Sequence, residues 1–297
     1  MLPNPPEFIE IATPDGLALP GLLYRATRST TAVIYLHGNG SSSVFYNRHR
    51  NRTVASELAK KGISMLYFNN RGAHIMKRIA VHGKKKKWFG MAYEKIKECI
   101  HDIDGAVDFL KKRGYKTFIL AGYSTGANKV CVYHFYKKQN PIAKYLILGG
   151  GDDVGIYYDY LGKKKFWELL AASRAKIRQK RGEELIQQHL FDPVFSYKGF
   201  YDIANPDGDY NVFPFLEVFR NIKISTKPLF RHYASLDKPT LVVYGRSDEY
   251  AWENVPRVIE TLKQYQPSFE YRVIKNADHG FHGHEAELAR TLASWLY

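Results

Sequence analysis

Cysteine is scarce: two residues, Cys99 and Cys131, in a chain of 297. Both fall in helix-like stretches, so two buried free thiols are expected rather than the disulfide framework of small secreted domains. Long apolar runs are missing as well. No stretch reaches the roughly 18 consecutive apolar residues that a spanning helix requires. The opening residues Met1-Leu2-Pro3-Asn4-Pro5-Pro6 lack the basic-then-apolar order of a secretion signal. A cytoplasmic protein is the expectation, unless such a signal has been trimmed. Acidic residues are in deficit: 29 Asp and Glu stand against 44 Lys and Arg, a formal charge of +15. The excess gathers in Lys84-Lys85-Lys86-Lys87, in Lys163-Lys164-Lys165 and in Arg174, Lys176, Arg178, Lys180 and Arg181. No zinc-ligand spacing, RNA-binding motif or recognition helix accompanies it. The charge is read as a solvated, lysine-rich surface able to steer an acidic ester, not as a nucleic-acid interface. Internal repeats and low-complexity linkers are absent too, and nothing in the sequence reports an oligomeric state.

What is present suits a globular enzyme. Apolar residues make up 45% and charged residues 25%, ordinary values for a packed domain. The length suits one catalytic domain with an insertion. Phe8–Thr13 and Leu17–Tyr24 flank a Pro14-Asp15-Gly16 turn and read as an antiparallel pair. Strand patterns at Ala32–Leu36, Ile63–Phe68, Thr117–Ala121, Ala143–Leu148, Pro239–Gly245 and Glu270–Ile274 alternate with helical ones. The latter include Val54–Lys61, an amphipathic Glu94–Arg113 stopped by Gly114, and Ala127–Lys137. This alternation predicts an α/β fold with a mostly parallel sheet of eight strands covered by helices on both faces.

The segment Gly122-Tyr123-Ser124-Thr125-Gly126 joins one of those strands to a helix. A serine between two glycines at such a reversal forms a nucleophile elbow, which raises the hydroxyl above the sheet edge beside the N–H groups of a helix start. Two partners follow in the order such an elbow requires. Asp248 comes in Gly245-Arg246-Ser247-Asp248, and His279 in Ala277-Asp278-His279-Gly280-Phe281. Each sits just past a strand end, where sites of parallel sheets gather. Ser124, Asp248 and His279 can therefore act as nucleophile, orienting acid and base. His37-Gly38-Asn39-Gly40 ends another strand. The backbone N–H groups of Asn39 and Thr125 are the expected oxyanion donors, each worth about 2.7–4 kcal/mol to a tetrahedral intermediate. His37 is read as a structural group orienting that loop by hydrogen bonds.

HGNG at 37–40, FNNRG at 68–72, GYSTG at 122–126, GRSD at 245–248 and ADHGF at 277–281 stand in the usual order and spacing. On these segments the chain resembles the α/β-hydrolase superfamily of serine esterases over most of its length. Ser124 to Val130, Gly149-Gly150-Gly151-Asp152-Asp153 and Asn205-Pro206-Asp207-Gly208 resemble, more narrowly, the esterase group that includes fungal siderophore-ester hydrolases. The resemblance implies hydrolysis of carboxylic esters through an acyl-serine intermediate, with no metal and no organic cofactor.

Between about 152 and 238 the alternation breaks. Residues 1–151 and 239–297 are expected to form the hydrolase core, and 152–238 a cap inserted after the sixth strand. A long helix is predicted over Lys165–Gln188. Beyond it run Phe191, Phe195, Tyr197, Phe200, Tyr201, Tyr210, Phe213, Phe215 and Phe219. These aromatics either line a pocket for a bulky ester or form the cap's own core; most are assigned to the core, with one or two facing substrate. Other residues have rival readings. Asp152 and Asp153 occupy an alternative acid position, and Glu249 serves only if the loop shifts by one. His282 and His284 beside His279 mimic a metal cluster, but His279 is committed to the serine, so no metal is assigned. Arg71 and His74 contact an acidic substrate group or anchor their loop. The reading is a serine carboxylester hydrolase for a small to medium ester, with aromatic feruloyl- or terephthalate-like esters among the candidates. The same triad also serves thioesterases, lactonases, amidases and acyltransferases, or a slow-turnover ligand receptor.

Overall fold

The computed structural model describes residues 5–40, 42–82, 84–186, 194–252 and 254–297. Its ten strands are β1 (Glu7–Ala12), β2 (Ala18–Tyr24), β3 (Thr31–Leu36), β4 (Ile63–Phe68), β5 (Lys77–Val81), β6 (Lys84–Phe89), β7 (Thr117–Tyr123), β8 (Ile142–Leu148), β9 (Thr240–Gly245) and β10 (Glu270–Ile274). Eight of them form one sheet in the order β1-β2-β4-β3-β7-β8-β9-β10, and β5 with β6 forms a separate hairpin. β1 pairs antiparallel with β2, and β2 antiparallel with β4. From β4 to β10 every neighbour is parallel. The main sheet therefore agrees with the expected α/β architecture. The hairpin is not predicted by the sequence, whose lysine run suggests only a solvated surface; its strands hold by pairing with each other.

Successive side chains of a strand face opposite sides, and here each side is apolar. Ala32, Ile34 and Leu36 of β3, Phe118 and Leu120 of β7, and Val242 and Tyr244 of β9 enter one core. Val33 and Tyr35, Ile119 and Ala121, and Leu241 and Val243 enter the other. The second core is closed by Val54 and Leu58 of helix α1 (Arg48–Lys60) and by Leu288 and Leu292 of the C-terminal helix (Glu285–Leu296). The first core takes α2 (Cys99–Lys112) and α3 (Thr125–Tyr136). Cys99 and Cys131 are buried there as free thiols.

Between β8 and β9 the chain runs through α4 (Asp153–Leu161), α5 (Lys163–Arg178), α6 (Tyr197–Ala204), α7 (Phe215–Arg220) and α8 (Arg231–Ala234); α9 (Val255–Tyr265) and α10 (Glu285–Leu296) follow β9 and β10. The predicted long helix is corrected: α5 ends at Arg178 rather than Gln188, because Lys180 turns to a positive φ of 60°. Phe195, Phe200, Tyr210, Phe213 and Phe215 are buried in the same cluster as the sheet side chains. Phe191 lies outside the described residues. Among the described residues no helix is long and apolar enough to cross a membrane.

Arg71, just after β4, is a loop anchor. Its Nε donates to Asp102 Oδ1 at 2.9 Å and its backbone N–H to Asp102 Oδ2 at 2.9 Å, while Nη1 approaches Asp15 at 2.9 Å and Glu98 at 3.2 Å. His74 likewise donates its backbone N–H to Ser42 O. Arg71→Met orphans the fully buried Asp102 carboxylate and should cost about 3–5 kcal/mol in urea unfolding. The double variant Arg71→Met/Asp102→Asn should recover part of that loss; equal losses would contradict the pairing.

Candidate active site

The turn from β7 into α3 carries Ser124 with φ 54° and ψ −129°, a left-handed conformation that a side-chain-bearing residue adopts only under constraint. The constraint is close approach. A Cβ on Gly122 would lie 2.1 Å from Gly126 O, and one on Gly126 would lie 2.2 Å from Leu36 O. The turn therefore folds only with glycine at both flanks, and Ser124 is left lining a cavity of about 590 Å³ at the C-terminal edge of the sheet.

The structure brings His279 and Asp248 to the same edge from the loops after β10 and β9. His279 Nδ1 lies 2.9 Å from Asp248 Oδ1 and 3.0 Å from Oδ2. Asp248 is buried, and its Oδ1 also accepts the backbone N–H of Tyr250 at 2.9 Å. The imidazole packs against the Tyr123 and Tyr250 rings, at 5.1 and 4.7 Å between centroids. Ser124 and His279 both line the cavity, without a direct hydrogen bond between them among the described contacts. Resting geometries of this kind are often loose and tighten around substrate. Glu249, the rival acid, accepts the backbone N–H of His279 at 3.0 Å and so grips the loop rather than the ring. Asp152 caps α4, accepting from Gly155 N–H and Leu216 N–H at 2.7 Å each.

Asn39 and Thr125 line the cavity beside Ser124. Neither backbone N–H has a partner among the described residues. His37 is buried behind that loop. Its Nδ1–H donates to Gly38 O at 2.7 Å and its Nε2 accepts Asn70 N–H at 3.2 Å. Burial first, then the nearby Lys129 charge, pushes the His37 imidazole down to about 3, so it stays neutral. His282, at the cavity's edge, pairs with Asp278 and His284 with Glu287. No cluster of three or more metal-ligating side chains occurs among the described residues.

The cavity walls differ from the expectation. None of the described aromatics from 195 to 219 lines it; the lining rings are Tyr123, Tyr157, Tyr160 and Tyr250. Tyr157 and Tyr160 come from α4, one and two turns past Asp153, and Tyr250 follows the acid by two residues. Their nearness in sequence to the β8 end and to Asp248 was the signal available. Asp153 and Glu249 supply the cavity's carboxylates, the opposite sign from the expected attraction of acidic esters. Asp153 accepts from Thr125 Oγ1 at 3.3 Å and Asn128 Nδ2 at 3.0 Å. Burial and the Asp152 carboxylate push it up to about 7.

Residues 27–287 match the family model described as serine aminopeptidase, S33, which belongs to the α/β hydrolases. No curated protein sequence matches the chain. Among solved structures, Est1E from Butyrivibrio proteoclasticus with ferulic acid bound superposes with a TM-score of 0.60 at 16% identity, covering 97% of both chains. The Pyrococcus furiosus esterase PF2001 gives 0.57 at 19%, covering 98% of this chain and 90% of that one. Carboxylesterase CesB from Bacillus subtilis gives 0.56 at 15%, covering 99% and 93%. At these identities the likeness is one of fold.

Asp153 has a consequence for stability. Its carboxyl holds a proton up to about pH 7 in the folded chain, against about 3.9 unfolded. Between those values the folded state binds more protons, so stability falls as pH rises. Asp153→Asn removes this dependence. The Tm of the variant minus that of the parent should grow from pH 5 to pH 7 and then level off; a constant difference would contradict the raised affinity for protons.

Proposed function

The chain belongs to the serine aminopeptidase S33 family of α/β hydrolases, and from that premise we propose that it is a serine carboxylester hydrolase working through an acyl-serine intermediate. The observation that carries the reading is the convergence on one cavity of an elbow serine and a histidine whose other nitrogen is held by a buried carboxylate. His279 Nε2 withdraws the Ser124 proton as the oxygen attacks the ester carbonyl. Asp248 fixes the tautomer that leaves Nε2 free and stabilises the imidazolium. The backbone N–H groups of Asn39 and Thr125 receive the oxyanion. His279 returns the proton to the departing alcohol, and water activated by the same nitrogen then releases the acid.

The substrate is a small to medium ester, and the four tyrosines of the wall favour an aromatic acyl group of the feruloyl or terephthalate type. Est1E, with ferulic acid bound, offers a parallel of fold for that choice. Residues 152–238 act as the cap: α4 contributes Ile156, Tyr157 and Tyr160 to the wall, limiting water around the reacting carbonyl. The family's description and the wall carboxylate of Glu249 favour a second reading, amide hydrolysis with a substrate ammonium held by that acid.

With p-nitrophenyl butyrate the protein should release a burst of p-nitrophenol before its steady rate. Ser124→Ala should abolish the burst, and Asp248→Asn should lower kcat by about 10⁴-fold. A p-nitrophenyl series graded from acetate to ferulate should show kcat/KM rising with the aromatic acyl group. Undiminished turnover by Ser124→Ala would overturn the proposal, and amino-acid p-nitroanilides cleaved faster than any ester would favour the second reading.

A further inference from the structure

Lys129 lies on the helix that follows Ser124, five residues past it, and it is fully buried. Its Nζ donates to Glu94 Oε1 at 2.6 Å and to Asn70 Oδ1 at 3.2 Å. Both carboxylate oxygens are used, since Glu94 Oε2 accepts the Tyr210 hydroxyl at 2.9 Å. A buried lysine–glutamate pair is costly to desolvate, and an apolar pair of like volume often holds a core as well or better. The pair therefore contributes something other than packing.

What it contributes is legible from Asn70 onward. The Asn70 side chain is fixed by Lys129 Nζ and by Gly72 N–H, 3.1 Å from the same Oδ1; its Nδ2 is buried without a partner. The Lys129 contact is thus the only one reaching Asn70's side chain from the nucleophile helix among the described hydrogen bonds. The Asn70 backbone N–H donates to His37 Nε2, which leaves the proton on Nδ1, and Nδ1–H donates to Gly38 O. A trans peptide is planar, with its C=O and N–H directed to opposite sides. Fixing the Gly38 carbonyl against the buried imidazole therefore turns the Asn39 N–H the other way, toward the cavity that Asn39 and Ser124 line. From the far side of the loop, Ser42 Oγ donates to Asn39 O at 2.6 Å and Gly40 N–H approaches Met91 Sδ at 3.0 Å.

We propose that Lys129, held by Glu94, is a positioning residue of the hydrolytic site: through Asn70 and His37 it sets the Gly38–Asn39 peptide with its N–H toward the oxyanion position. The proposal rests on the reading of Asn39 as an oxyanion donor. A peptide free to rotate would present a carbonyl to the developing negative charge in place of a donor. Ground-state ester carries little charge on that oxygen, so substrate binding should scarcely feel the change, whereas the transition state should. The same pair ties Tyr210 of the 152–238 segment to the loop, so the insertion and the oxyanion side share one buried junction.

The test uses the full chain with p-nitrophenyl butyrate. Lys129→Met/Glu94→Gln removes the charges as a pair and keeps the volume. Its kcat should fall from about tenfold up to the 10²–10³ that loss of a whole oxyanion donor brings, with KM within about twofold. Asn70→Leu should show the same split, and the conservative Asn70→Asp, which keeps an oxygen for Lys129, should recover most of the rate. The Asn70 pair also decides the matter if the double variant does not fold. Wild-type kcat in the folded double variant or in Asn70→Leu would overturn the proposal, as would an equal rise of KM and fall of kcat. Failure of the esterase reading itself is separate, since it appears as Ser124-independent turnover in the parent protein.

Discussion

Ser124 is held at φ 54° and ψ −129°, and nearly every other feature of the site is arranged around keeping it there. Such a backbone costs on the order of 1–3 kcal/mol unless its surroundings over-determine it. Here they do. β7 lies between β3 and β8 in the middle of the sheet, and Ser124 N–H donates to Leu148 O at 2.9 Å, extending the ladder to the serine. α3 then starts at once, with Gly126 against the Leu36 carbonyl. The turn has nowhere else to go. A side chain at 122 or 126 would have to push apart two backbones that the sheet has already locked.

Once the serine is fixed, the other groups need only reach the same edge. Parallel strands deliver them because all of β3, β7, β9 and β10 end there. Asp248 follows β9 and His279 follows β10, and the parallel register of these two strands makes their loops neighbours. The two loops are then stitched together: Ser247 N–H donates to Ala277 O, Arg246 N–H to Ile274 O, and His279 N–H to Glu249. The imidazole orientation thus rests on backbone contacts as much as on the Asp248 carboxylate. A separate buried polar junction runs from Glu94 and Lys129 through Asn70 to His37 and the Gly38 carbonyl, behind the loop we propose as the oxyanion donor. The cavity wall also takes Asp153, Ile156, Tyr157 and Tyr160 from α4.

The frame of this molecule was legible because its signals are local. Strands such as Val33 to Leu36 and Leu241 to Tyr244 are apolar on both faces, as central parallel strands must be, and their observed bounds lie within a residue or two of those read from the sequence. The serine, histidine and acid could be ranked because each follows a strand at a turn signal. Long-range features were opaque. Lys129 reads as an ordinary helix residue until Glu94, 35 positions away, is brought against it. Most aromatics between 195 and 219 pack into or against the core as assigned, but composition does not show that none of those described reaches the cavity. The hairpin of β5 and β6 hides in a lysine-rich run, because pairing rather than composition makes those strands.

Labelling with a fluorophosphonate, followed by peptide mass spectrometry, tests most directly the claim that one constrained serine is the attacking group. The account predicts a single stoichiometric adduct on the peptide bearing Ser124, with ester hydrolysis lost in proportion to labelling. An adduct on another serine, or full hydrolysis by completely labelled protein, would contradict it.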